Sequence, residues 1–202
     1  MSSAFLSGFI TGGGLIIAVG AQNTFLLEQA LKRHFALLIA VLFILSDTLA
    51  ITMGASGMAA LIHQHPIVLD VSRYAGVAFL LYFAFSRFKA SFSDEALLLS
   101  ANHQAPFVAT IITGIAVTWL NPHFYLDTMI LMGALANQWQ SNLYDFVIGG
   151  VAASILWFLG LVLLGRILAP YFKEAKFWRW FNRINGCLIT IIAINIMLMP
   201  LH

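Results

Sequence analysis

Asn121-Pro122-His123 stands inside an apolar run from Phe107 to Leu135, and Asp127 follows within two turns. Asn before Pro is a helix-start signal: Asn caps the first amide groups and Pro takes the first helical position. The residue before a proline also resists the α conformation. An apparently continuous hydrophobic helix therefore carries a stop and a restart. In lipid, freed backbone groups are tolerated only against protein or a water-filled cavity. Broken backbone beside a carboxylate at membrane depth is the pattern of a transport site. The competing explanation is a proline kink with an interfacial acid.

Two further stretches carry polar chemistry. Ser46-Asp47-Thr48 interrupts the apolar run from Ala36 to Met53. Asp47 lies about 16 Å along that helix, near the middle of a hydrocarbon core about 30 Å thick. An aspartate there costs at least about 2.5 kcal/mol to insert. No basic residue occurs in the segment, so Asp47 must be protonated, hydrated or paired across helices. It is the strongest single site candidate. The third stretch is Gly20-Ala21-Gln22-Asn23, whose two amides need partners inside an apolar span. Asn23 is placed to cap a second half-helix. Glu28 follows, close to Lys32 and Arg33, and reads either as an interfacial acid paired with those bases or as a ligand.

The elements that hold these residues are membrane helices. The chain of 202 residues is 61% hydrophobic and 9% charged, with mean hydropathy +0.91. A soluble domain carries about 25% charged residues. The fold class is thus an all-α integral membrane protein in a single transmembrane domain, residues 1–202. A net charge of +2 gives no reason to expect nucleic acid. One cysteine, Cys187, excludes a disulfide framework, a CxxC pair and a thiolate metal site. Six histidines show no HExxH spacing. No phosphate loop, cofactor motif or usable Ser/His/Asp order appears, so neither cofactor nor catalysis is expected. The first residues have no basic n-region, and the first apolar segment is expected to persist.

Six apolar segments reach the length of a span, near 4–27, 36–62, 67–88, 107–135, 143–168 and 181–199. Lys and Arg follow segments one, three and five, while the loops after two and four have none. That alternation places loops one, three and five in the cytoplasm and both termini outside. The exception, Arg73, is expected to pair with Asp70 on its own helix face. Gly8 and Gly12 allow close helix approach, as do Gly149-Gly150, Ala152-Ala153 and Ser154. Such faces permit a homodimer. Trp157 reads as core filler or as an aromatic wall for a cation. The residues from Ala169 to Arg183 mix bases with aromatics and read as an interfacial anchor for membrane lipid. Residues 89–105 are the least hydrophobic stretch and read as a connector between halves.

The run from Gly20 to Glu28 faintly repeats the run from Trp119 to Asp127: an Asn at a restart, an aromatic, then an acid. Each opens a three-helix half, 1–90 and 106–200. Because three is odd, the halves enter from opposite sides, giving two inverted repeats with the site where they meet.

At these residues the sequence resembles the lysine/arginine exporter (LysE/ArgO) family. The resemblance rests on Gly20-Ala21-Gln22-Asn23 with Lys32-Arg33, on Ser46-Asp47, and on Thr118-Trp119-Leu120-Asn121-Pro122-His123 with Tyr125-Leu126-Asp127. It covers nearly the whole chain. Glu28 departs from the pattern, and leaves the charge of the intracellular gate open. The family implies a bacterial inner-membrane exporter of basic amino acids driven by the proton-motive force. On that footing the substrate-binding residues are Gln22, Asn23, Asp47, Trp119, Asn121, His123, Tyr125 and Asp127. Helix amino ends after Asn23 and Asn121 suit the substrate carboxylate. Asp47 and Asp127 suit its cation, with Trp119 or Tyr125 facing it. Asp47 is the proton-coupling residue. The alternative reading is a transporter of metal cations or other small solutes. His123 and Asp127 share a helical face, but two ligands make a poor metal site.

Overall fold

The computed structural model describes residues 2–17, 20–58, 66–92, 105–172 and 175–198, and their regular structure is helical throughout. The expected first span is two helices, α1 (Ser3–Ile17) and α2 (Ala21–Leu31), bent by 77°. α3 (Ala36–Met53) runs on into a π-helical turn, Gly54–Met58. Gly57 within it has φ +88, a conformation that a side chain would strain. α4 spans Pro66–Phe92 and α5 spans Phe107–Trp119. α6 (residues 122–136) joins Pro122–Phe124, a π-helical stretch Tyr125–Leu131 and Met132–Ala136. α7 is Leu143–Leu168 and α8 is Ala175–Leu198.

The helix interruptions follow the chemistry of their residues. Asn121 Oδ1 accepts from the His123 amide at 3.2 Å, so Asn121 caps α6 as its sequence demands. α2 starts differently. Its N-cap is Gly20, with no side-chain cap, and Asn23 lies inside the helix. The expectation that Asn23 caps a half-helix is therefore corrected. Glycine opens this helix, and Asn23 Nδ2 instead donates to the Ile16 carbonyl at 2.8 Å, tying the end of α1 to α2.

Helix length and composition make Ala36–Gly57 and Lys176–Leu198 membrane-crossing candidates, with the bent pair α1–α2 as another. A third long apolar run, Tyr125–Tyr171, contains the kink at Trp139 (φ −109, ψ 37). Its 47 residues would extend about 70 Å as one helix, more than twice a hydrocarbon core, so it is two elements, α6 and α7. The surface agrees with a lipid solvent: Ile148, Leu156 and Leu163 of α7 point outward while Gly149, Gly150, Ala153 and Ser154 point in. Such a face would be a liability in water.

Small residues set the packing. A Cβ on Gly8 would stand 2.0 Å from the Phe146 carbonyl oxygen, and one on Gly149 would stand 2.1 Å from that of Phe5. α1 and α7 thus touch backbone to backbone. The same device joins α3 to α6, where Gly54 meets Met129 and Gly133 meets Gly54. α4 pairs with α8, with Gly186 against the Phe88 ring. α3 and α7 cross at the centre, where Phe43 packs on Phe158.

Two stretches near the helix ends are placed as follows. α8 begins at Ala175, so much of the expected anchor stretch is helix. Trp178 is buried and its Nε1 donates to the Phe172 carbonyl, although Tyr171 and Trp180 remain exposed. Arg73 donates to the Met197 carbonyl and lies over the Tyr74 ring. The side chain of Asp70, its expected partner, lies outside the described residues, as do residues 93–104 of the connector and 59–62 of segment two.

Candidate functional site

The two helix breaks face one cavity of about 360 Å³. α2 contributes Gln22 and Asn23 at its amino end, beside Gly20. α3 contributes Asp47, and the break before α6 contributes Asn121, followed on α6 by His123, Asp127 and Thr128. Leu15, Ile16, Phe124 and Ile192 complete the wall. Six of the eight residues singled out in the sequence therefore meet here, drawn from segments far apart in the chain.

Asp47 is 2% exposed as a residue, yet it reaches this cavity. Ser154 Oγ of α7 donates to its Oδ2 at 2.7 Å. Gln22 reaches toward the same carboxylate, but its Nε2 completes no hydrogen bond. Among the described residues no lysine or arginine lines the cavity. A mid-helix carboxylate is thus given a hydroxyl but no permanent counter-charge. One turn further along α7, Trp157 Nε1 donates to Asn23 Oδ1 at 3.2 Å. Ser154 and Trp157 together fix Asp47 and Asn23 from behind. Trp157 is therefore a brace for Asn23 and lies outside the cavity lining.

Trp119 and Tyr125 also stand behind the wall. Trp119 Nε1 donates to Ser46 Oγ at 3.1 Å, joining the end of α5 to α3. Tyr125 Oη donates to the Trp119 carbonyl at 2.7 Å, filling an acceptor freed by the break. Neither ring is in the cavity lining, and their polar ends hold the interruption in place. Asp127 lies in the π-helical stretch, where the Met132 amide bonds to the Asp127 carbonyl five residues back. Wide turns of this kind shift the register of side chains and recur at functional sites. Asp127 and His123 share one face and both line the cavity. Among the described residues no group of three His, Cys, Asp or Glu side chains could hold a metal ion.

The arrangement has one uncapped helix amino end, at α2, and two carboxylates without lysine or arginine partners. It can hold a ligand that carries both an anion and a cation. Sequence reasoning missed Ser154, whose only sign was a hydroxyl in a stripe of small residues. Of the two bases expected beside Glu28, Lys32 pairs with it, and Arg87 of α4, which the sequence did not point to, is the second partner.

The family model "LysE type translocator" matches residues 14–199. The chain belongs to this family. LysE-type relatives include "Arginine exporter protein ArgO" of Escherichia coli (strain K12), 39% identical over 97% of this chain and 94% of its own length. The protein of that name from Klebsiella pneumoniae (strain 342) shows the same figures. That from Serratia proteamaculans (strain 568) is 36% identical over 97% of both chains. No solved structure matches. Membership in the LysE family and the apolar helices make this a multi-pass membrane transporter.

Proposed function

We propose that the protein exports basic amino acids, arginine or lysine, across the bacterial inner membrane, in exchange for protons moving inward. The observation that carries the reading is the meeting of Asp47 and Asp127 with two helix breaks at one cavity that, among the described residues, no lysine or arginine lines. The ArgO names of its relatives supply the substrate class. In this reading the substrate carboxylate rests on the amide groups that open α2, beside Gln22 and Asn23. The positive side chain rests between Asp47 and Asp127, with His123 at its edge. Asn121 shapes the second break, and Trp119 and Tyr125 brace it.

Expelling one positive charge against an inside-negative potential costs about 2.3 kcal/mol per 100 mV. Returning one proton cancels that movement of charge. A carboxylate that holds either the proton or the substrate couples the two fluxes, and Asp47 takes that role because burial leaves it only Ser154 as a firm partner.

Helix pairing supports six crossings in two inverted halves, 1–90 and 106–200, with both termini outside. α1 runs along α7 and α3 runs along α5–α6, so the first helix of each half pairs with the second helix of the other. α3 with α7 and α4 with α8 pair like with like. A two-fold axis in the membrane plane generates that set.

Counterflow in liposomes containing the purified protein tests the proposal. With labelled arginine, lysine, threonine and leucine at two pH gradients, arginine or lysine should exchange and accumulate with the gradient. Exchange of threonine or leucine alone would reject the substrate class.

A further inference from the structure

Beyond the cavity, toward the basic end of α2, lies a second set of buried charges. Glu28 is 2% exposed. Its Oε1 accepts from Lys32 Nζ at 2.6 Å and from Arg87 Nη1 of α4 at 2.5 Å. One carboxylate facing two cations leaves a surplus positive charge. Glu28 Oε2 and Arg87 Nε are buried without a hydrogen-bond partner, as is Oε1 of the neighbouring Gln29. A network serving rigidity alone would be filled, because unpaired polar atoms are costly in a low dielectric.

We propose that Glu28 and Arg87 form a second subsite, for the head group of an α-amino acid, and that Lys32 closes it in this conformation. The inference rests on the transport reading. The two unpartnered atoms are an acceptor on an acid and a donor on a guanidinium. They complement the ammonium and the carboxylate that every free amino acid carries. A bound carboxylate also neutralises the surplus charge. Lys32 presents the same primary ammonium that the ligand would bring. It is the displaceable member, with its side chain 30% exposed against 18% for Arg87 and 2% for Glu28. The Trp178 ring, 5.5 Å from Lys32 Nζ, would face a ligand ammonium in the same way. Glu28 is five residues beyond Asn23, about 7.5 Å along α2, so one helix carries both subsites. The subsite at Glu28 reads the head group and is indifferent to side chain; the cavity selects the cation.

The test is binding to purified protein in detergent by titration calorimetry. The probes are glycine, which is little more than a head group, L-arginine, and L-argininamide, which lacks the carboxylate. Lys32→Met should bind glycine and L-arginine about fivefold more tightly than the native chain, the factor expected when a competing ion pair worth about 1 kcal/mol is removed. Argininamide should gain less. Adding Glu28→Gln to Lys32→Met should abolish the gain. Should Lys32→Met fail to fold, Arg87→Lys serves: it keeps the charge, loses the Nε donor and should shrink the preference for arginine over argininamide. Equal glycine affinity in the native chain and in folded Lys32→Met overturns the subsite. So does a gain that survives Glu28→Gln, or an arginine preference that Arg87→Lys leaves unchanged. Failure of the transport reading shows separately, as absent arginine counterflow by the native chain.

Discussion

Replacing Asp47 by Asn separates coupling from folding. The side chain keeps its shape, and the Asn Oδ1 can accept the hydrogen bond that Ser154 Oγ gives to the aspartate at 2.7 Å. Among the described residues no lysine or arginine lines the cavity with Asp47, so none of them is left stranded. Stability should change by no more than about 1 kcal/mol, the net value of one hydrogen bond. Transport should change in kind. One arginine leaving as one proton enters moves no net charge, so its steady-state ratio ignores the membrane potential. Without the proton, arginine moves as a lone cation, and about 2.3 kcal/mol per 100 mV corresponds to about a fiftyfold shift in the ratio. The assay is labelled arginine flux in liposomes, with the potential set by potassium and valinomycin and the pH gradient set independently. The Asn variant should lose accumulation driven by the pH gradient, and any residual flux should follow the potential. Native accumulation in a folded Asp47→Asn protein would refute the assignment and move coupling elsewhere in the cavity.

Other consequences are as direct. Gly8→Ala and Gly149→Ala each force a methyl into a carbonyl of the facing helix. Each should cost about 1–3 kcal/mol, read as a lower melting temperature in detergent. Gly14→Ala, with nothing within 4 Å of the added carbon, should be neutral. Asn121→Ala removes the cap on α6 and should cost about 1 kcal/mol. Asn23→Ala leaves the Ile16 carbonyl and Trp157 Nε1 without this partner, and should lower arginine binding more than Asn121→Ala does. Chelators should leave arginine counterflow unchanged, since no metal takes part in the proposed exchange.

The interruption at Asn121-Pro122 was legible because proline and its cap act locally, through sterics and one hydrogen bond. Asp47 was legible because a lone carboxylate at mid-helix has no innocent explanation in hydrocarbon. The break before α2 was placed three residues late. Asn is the better cap in isolation, but Gly20 bends the chain without strain, and Asn23 then reaches back to Ile16. Trp119, Tyr125 and Trp157 look like a cation's cage in sequence. In the structure all three stand outside the cavity lining, and Tyr125 fills a backbone acceptor that the broken helix leaves in need of a partner. Ser154 and Arg87 could not be assigned at all, since their roles depend on α7 and α4 meeting residues more than fifty positions away.

In the proposed exchange the two breaks take different parts in recognising the ligand. At Asn121 the break is closed upon itself: the cap takes the His123 amide, Pro122 has no amide to offer, and Tyr125 takes the freed carbonyl of Trp119. Nothing there remains for an anion. At Gly20 the break is open, because no side chain caps α2, and Gly20, Gln22 and Asn23 line the cavity. A carboxylate therefore has the open break, and a cation has Asp47 of α3 and Asp127 of α6, which line the same cavity. A neutral amino acid would satisfy the first and leave both acids without a cation. The proposed preference for basic substrates would then follow from unpaired carboxylates rather than from cavity shape, and selectivity should relax when the acids are removed even though the volume is unchanged.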